Sequence, residues 1–510
     1  MIARRKLLAC ALPLLAALAL GACQPSGLAL ALLAQNRLGT WVSLAPQEMP
    51  PLGRVDERFQ SYNIGMRELT GTAPAGQPQR PPLDLGDARL RRLAAALGPA
   101  YLRVSGPGAN STYFPPGDST PASPPAGFDA VLSRRQWWGL VEFARAVDGR
   151  IVASFAISAG TRDARGVWTP EQARRLIDYS ASLGGRIAVA EFMHEPNLAR
   201  QGGAPAGYDA AAYGRDFRIF RTFAAEAAPD LSIMGPGSLG ESEGGALPSG
   251  SIPSADLLAA AGAGLDLFSY HQYATVSPRC PDPAGAGRTG SGEEPSTEWP
   301  ARPERSLAFY RQLRDRFAPG RPLWLSATAD APCGGTPRAA TFLDTFRYLD
   351  QLGHLAREGV QVVMHDGLIG GDSGLLEEGT LTPRPDYWGA LLWRRLMGGT
   401  VLDPGAPDQP GLLLYAHCLR GTPGGVAILA INTDRERGRT LGLPVAAERY
   451  SLTADAPESR SVRLNGKPLA LVDGALPALA GAAAPAGYLL LEPASITFLA
   501  VPEAGNGACR

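Results

Sequence analysis

The segment Glu191-Phe192-Met193-His194-Glu195-Pro196-Asn197 carries the densest chemistry in the chain. It closes a short apolar run, Ile187–His194, that reads as a strand. A glutamate directly before proline at a strand end leaves regular pairing, because proline has no backbone N–H to donate. The carboxyl of Glu195 can then face a cleft and give or take a proton. His194 beside it can donate a hydrogen bond and titrates near neutrality. A phosphate-binding turn is not in evidence: Gly106-Pro107-Gly108 follows an early strand but lacks the fuller glycine pattern. The sequence shows no cofactor motif and no metal-ligand set, since the cysteines do not match zinc spacing and no CxxC occurs.

Eight short apolar runs are available to position such a group: Phe59–Gly65, Ala100–Ser105, Arg150–Ser158, Ile187–His194, Ser232–Gly235, Asp266–Tyr273, Leu323–Thr328 and Val360–Asp366. Each is bounded by Gly, Pro or polar turns, the pattern of strands buried on both faces. Amphipathic helical runs separate them, over Asp87–Leu97, Arg134–Val147, Thr169–Leu183, Tyr208–Ala228 and Thr341–Glu358. Thr169-Pro170-Glu171 supplies an N-cap followed by Pro at the first helical position. The alternation predicts an α/β fold, a (β/α)₈ TIM barrel over residues 56–395. The texture then changes. Leu412–Leu419, Gly425–Asn432, Arg439–Leu443, Arg460–Leu464 and Ile496–Val501 predict a C-terminal β-sandwich over 396–510. Residues 24–55 read as a linker with one strand, Gly39–Leu44, entering that sandwich. Pro107–Phe128 and Ser277–Pro303 are long polar loops placed to shape a cleft.

The 510 residues carry 48 basic and 48 acidic side chains. Removal of Arg4, Arg5 and Lys6 with a leader gives a slightly acidic mature chain, so no basic field points to nucleic acid. Residues 1–23 read as that leader: a basic start, an apolar stretch Leu7–Leu20 too short for a comfortable span, and Leu20-Gly21-Ala22-Cys23, a lipobox pattern. The expectation is an exported lipoprotein, lipidated on Cys23 and anchored to a membrane of the cell envelope. Cys280, Cys333, Cys418 and Cys509 remain, an even number that allows three pairings.

Several further segments, in order, resemble glycoside hydrolase family 79, the heparanase and β-glucuronidase family. They are Tyr101-Leu102-Arg103-Val104-Ser105-Gly106, Ser269-Tyr270-His271-Gln272-Tyr273, Gly370-Gly371-Asp372-Ser373-Gly374-Leu375-Leu376, Pro385-Asp386-Tyr387-Trp388, Ala390–Gly398 and Leu464-Asn465-Gly466-Lys467. The resemblance runs from about Asp56 to Cys509. It implies a glycan substrate containing uronic acid, Glu195 as general acid/base, and a Cys418–Cys509 bridge. That bridge leaves Cys280 and Cys333 to join the loops after the sixth and seventh strands. His271 and Tyr273 would bind substrate or position the reacting groups. Arg103 would pair with an acid in the barrel mouth. Gly370, Gly371 and Asp372 would form the uronate loop.

The sequence departs from the family where the family does its chemistry. A retaining glycosidase needs a second carboxylate ~5–5.5 Å from the acid. Its place, in Trp324-Leu325-Ser326-Ala327-Thr328, holds Ala327. His194 replaces the family's Asn, and Asp372-Ser373 replaces Asn-Tyr; an unpaired Asp372 would repel a uronate. One reading is an altered hydrolase in which Asp330, Asp366 or Glu68 supplies the second carboxylate. Another is a catalytically inactive glycan-binding lipoprotein, with Trp168, Tyr270 and Tyr273 stacking on sugar faces, and a third is a structural lipoprotein whose site is vestigial.

Overall fold

The computed structural model describes residues 41–72, 80–200, 202–242, 247, 250–280, 302–406 and 409–510. The expected leader with Cys23, the expected linker up to residue 40 and most of the Ser277–Pro303 segment lie outside the described residues. Among the described residues no helix is long and apolar enough to cross a membrane.

Eight parallel strands close into a barrel: β1 (Gln60–Gly65), β2 (Ala100–Ser105), β3 (Gly149–Ser154), β4 (Ile187–Glu191), β5 (Ser232–Leu239), β6 (Leu267–His271), β7 (Leu323–Thr328) and β8 (Val362–His365). All eight anticipated runs form these strands, with ends that shift by a few residues. The anticipated helices form as Ala88–Ala96, Arg134–Ala146, Glu171–Ser182, Ala210–Ala227 and Phe342–Arg357. Their starts follow from local chemistry. Asp87 accepts from the amides of Arg89 and Leu90, and Ser133 with Gln136 makes a reciprocal capping box. Pro170 stands at the N-cap itself, one place earlier than expected. The helices Ser254–Ala261, Arg302–Phe317 and Pro385–Leu396 were not anticipated. Their apolar stripes are interrupted or continuous all round, so the 3.6-residue period is weak.

The C-terminal region forms two sheets. A nine-stranded sheet is built around Leu412–Leu419, Val426–Asn432 and Ser495–Val501. A three-stranded sheet contains Trp41–Ser43, Arg439–Leu443 and Gly487–Leu491. Val42, Leu441, Leu443 and Leu491 of the small sheet share one buried cluster with Leu414, Ile428 and Leu499 of the large one, which is the packing of a sandwich. The strand entering from residues 24–55 thus docks by parallel pairing onto Arg439–Leu443, and Pro51–Arg54 adds to the large sheet through Met397–Leu402. Cys418–Cys509 closes the sandwich, and Cys280–Cys333 ties the loop after β6 to the loop after β7.

Candidate active site

The C-terminal ends of β2, β4 and β6 converge on Glu195. Beyond β4 the chain turns sharply: Glu195 has φ 48°, in the left-handed region, a conformation that costs a non-glycine residue about 1–3 kcal/mol. Asn110 holds the approach, accepting from the His194 amide and donating to the His194 carbonyl, both at 2.9 Å. Asn197 holds the exit, donating to the Leu239 carbonyl at 2.8 Å and accepting from its amide at 3.0 Å. Pro196 begins a 3₁₀ turn rather than another ladder bond. The carboxyl is therefore aimed by two asparagine clamps as well as by the proline that marks it in the sequence.

Beneath it lies a buried charged network. Arg103 on β2 and Glu191 on β4, both 1% exposed, pair at 2.7 Å. The same Arg103 nitrogen lies 3.0 Å from His271 Nε2 and 3.3 Å from His194 Nδ1. A guanidinium only donates, so His271 Nε2 accepts and its Nδ1 carries the proton. That Nδ1–H donates to Glu195 Oε1 at 2.9 Å. His194 Nε2 stands 3.3 Å from the other oxygen of Glu195. Ser154 and Ser105 donate to Glu191 at 2.5 and 3.3 Å, and Ser105 also lies 3.1 Å from His194 Nδ1. Gly237 at the end of β5 makes room: a Cβ there would sit 2.3 Å from Glu191 Oε1.

Electrostatics follow from these contacts. Burial alone would raise the Glu195 carboxyl, but His194 and His271 outweigh it and hold the group well below the usual carboxylate range. Glu191 is likewise lowered; desolvation opposes, and Arg103 with the two imidazoles prevails. Burial, reinforced by Arg103, pushes His271 below its ordinary value, consistent with a neutral ring.

The β7–β8 side differs. Ala327 is 1% exposed and packs with Tyr273 and Ala329. Tyr273 donates its hydroxyl to Asp366 at 2.9 Å. Asp330 goes elsewhere: it accepts from the Thr336 hydroxyl and amide at 2.6 and 3.0 Å and from the Ala331 amide at 2.7 Å. Burial raises its pKa to about 6. Glu68 pairs with Arg80 at 3.1 Å and is raised by burial. Asp372 is paired with Arg279, so the loop of Gly370, Gly371 and Asp372 does not present a bare carboxylate. Gly371 lies against Gly334, where a Cβ would come within 2.6 Å of backbone, and this seats the loop next to the Cys280–Cys333 bridge.

Two expected sugar-stacking rings belong to the core instead. Trp168 is 2% exposed, packed edge-on to Phe192, with its indole N–H on the Ala156 carbonyl. Tyr270 is fully buried and stacked on Tyr310 at 4.8 Å. Tyr270 points away because alternate residues on β6 face opposite sides, and Trp168 lies in the loop before the helix Glu171–Ser182, folded in over Phe192 and Phe220. The residues not foreseen are Glu191, Ser105, Ser154, Asn110, Gly237 and Arg279. Glu191 alone had a local signal, as an acid inside an apolar strand, where an unpaired charge would be prohibitive. Nor did the sequence suggest a metal-ligand set, yet His194, Glu195 and His271 each offer a ligand atom within 4.8 Å of the others. Seventy-odd residues separate His271 from the other two, so contiguous spacing rules do not reach it.

No family model matches the chain. Heparanase of Mus musculus is 28% identical over 491 residues, covering 83% of this chain and 88% of that protein. Inactive heparanase-2 of Homo sapiens is 30% identical over 226 residues, covering 39% of this chain and 38% of its own. Among solved structures, a 4-O-α-L-rhamnosyl-β-D-glucuronidase from Fusarium oxysporum 12S aligns with a TM-score of 0.62 at 15% identity, over 90% of this chain and 100% of that one. The last is a likeness of fold. The resemblance to heparanases holds over most of the sequence, and the barrel with its added sheet domain is the architecture of glycoside hydrolases.

Proposed function

We propose that this relative of the heparanases is a glycoside hydrolase acting on a uronic-acid-containing glycan, with Glu195 as the proton-handling carboxylate and no covalent intermediate at the β7 position. Ala327 carries the second half of that statement: a buried methyl group can neither attack an anomeric carbon nor stabilise an oxocarbenium ion. Asp366 is the second carboxylate, because Tyr273 links it to the Ala327 position while Asp330 is committed to its own loop. From that side it activates water for a single displacement, which inverts the anomeric centre. Arg279 neutralises Asp372 and leaves the loop after β8 free to approach a uronate.

One observation favours a second reading, glycan binding without turnover. Glu195 is held ionised by two imidazoles, whereas a general acid must carry a proton to the leaving oxygen. Incubation with a chromogenic β-glucuronide and with uronic-acid oligosaccharides separates the two. Product release that disappears in Glu195→Gln supports hydrolysis. Saturable binding without release, with turnover gained in Ala327→Glu, establishes the binding reading instead. The export signal belongs to the same proposal: the mature protein begins at a lipidated Cys23, and Cys23→Ser should move it from the membrane to the soluble fraction. Unchanged partition would remove the anchor.

A further inference from the structure

We infer that His194, Glu195 and His271 form a site for one divalent transition-metal ion, of the zinc type. Two imidazoles and one carboxylate are the donor set such ions select. Bonds of ~2.0–2.1 Å place tetrahedral ligand atoms ~3.3 Å apart. Here His271 Nδ1 and Glu195 Oε1 are 2.9 Å apart, His194 Nε2 and Glu195 Oε2 are 3.3 Å apart, and one atom from each residue falls within 4.8 Å of the others. His271 ends β6, and His194 and Glu195 lie in the turn after β4, held by the Asn110 and Asn197 clamps on either side.

The surroundings supply an independent indication. A metal-bound imidazole donates its other N–H to a carboxylate or hydroxyl, which fixes its orientation. Glu191 Oε1 is buried without a hydrogen-bond partner and lies 3.8 Å from His271 Nε2. Arg103 Nε is also unpartnered. Metal on His271 Nδ1 moves its proton to Nε2, where Glu191 Oε1 accepts it and Arg103 shifts wholly onto Glu191. Ser105, 3.1 Å from His194 Nδ1, serves the second ring. Arg103 and Glu191 cancel each other's charge, so the ion meets one net carboxylate. Coordination and proton transfer exclude each other at Glu195, so an ion there blocks a hydrolysis that uses the free carboxyl.

The test uses the mature protein stripped by chelator and titrated calorimetrically with Zn²⁺. One ion per chain should bind with a dissociation constant below ~1 μM, with three protein ligands and an open fourth position. His194→Asn, His271→Asn and Glu195→Gln should each weaken binding at least ~100-fold, while His354→Asn, on the outer helix Phe342–Arg357, should not. Pulsed EPR of the Cu²⁺-loaded wild-type protein should show two coupled imidazole nitrogens, a readout that needs no variant to fold. Absence of binding, binding that survives His194→Asn and His271→Asn, or coupling to fewer than two imidazoles overturns the site. Binding is read without substrate, so it stands or falls separately from turnover.

Discussion

On the β2–β4–β6 side of the barrel mouth, Arg103, Glu191, His194, His271 and Glu195 are buried together and answer one another's charge. On the β7–β8 side Ala327 and Ala329 line the mouth, and the acids are engaged elsewhere: Asp366 by a tyrosine, Asp330 by a threonine loop, Asp372 by Arg279. The contrast shows that the charges governing Glu195 come from one side of the mouth, from His194 and His271. In a two-carboxylate cleft the ionised nucleophile raises the pKa of the acid by repulsion. Without it, the two histidines govern Glu195 and keep it charged.

That contrast can be broken most strongly at Glu195. Glu195→Gln should lower glycan turnover by about 10²–10⁴-fold, up to ~5 kcal/mol of barrier, measured as product release at saturating substrate. Next in size is the buried pair. Arg103→Leu leaves Glu191 charged and unpaired at 1% exposure; it should cost about 3–5 kcal/mol in urea unfolding, and Arg103→Leu with Glu191→Leu should recover most of that.

A third prediction concerns acid. Burial lowers His365 and His417 to about 4, from about 6.5 in the unfolded chain. Between those values the unfolded state binds protons that the native state refuses. The stability these residues allow is therefore full above pH ~6.5 and is lost as pH falls toward 4, by about 3 kcal/mol each. Asp330 and Asp350, raised by burial to about 6, gain stability over the same range and oppose this loss, so the check is made on the rings themselves: NMR of His365 and His417 should show both neutral at pH ~5.5, and charged rings there would contradict the assignment. The smallest effect belongs to Asp330. Its hydrogen bonds face Thr336, so Asp330→Asn should leave turnover within about threefold, whereas Asp366→Asn should remove it.

Much of the fold was legible because parallel barrel strands are short, apolar on both faces and punctuated by Gly and Pro. The turn at Glu195-Pro196 was legible for the same local reason. What was not legible is carried by long-range contacts. His271 meets Glu195 across 76 positions and Arg279 meets Asp372 across 93, distances at which spacing rules carry no information. Trp168 and Tyr270 are not placed by the sequence, because an aromatic in a loop or at a strand end looks the same whether it faces the cleft or the core.

The measurement closest to the central claim is the configuration of the first product, followed by ¹H NMR of the anomeric proton during cleavage of a β-glucuronide. The proposed single displacement, with Glu195 as acid and Asp366 activating water, predicts the α-anomer before mutarotation. A β-anomer as first product would mean that a covalent intermediate still forms, and no product at all would leave binding without hydrolysis; either result contradicts the account.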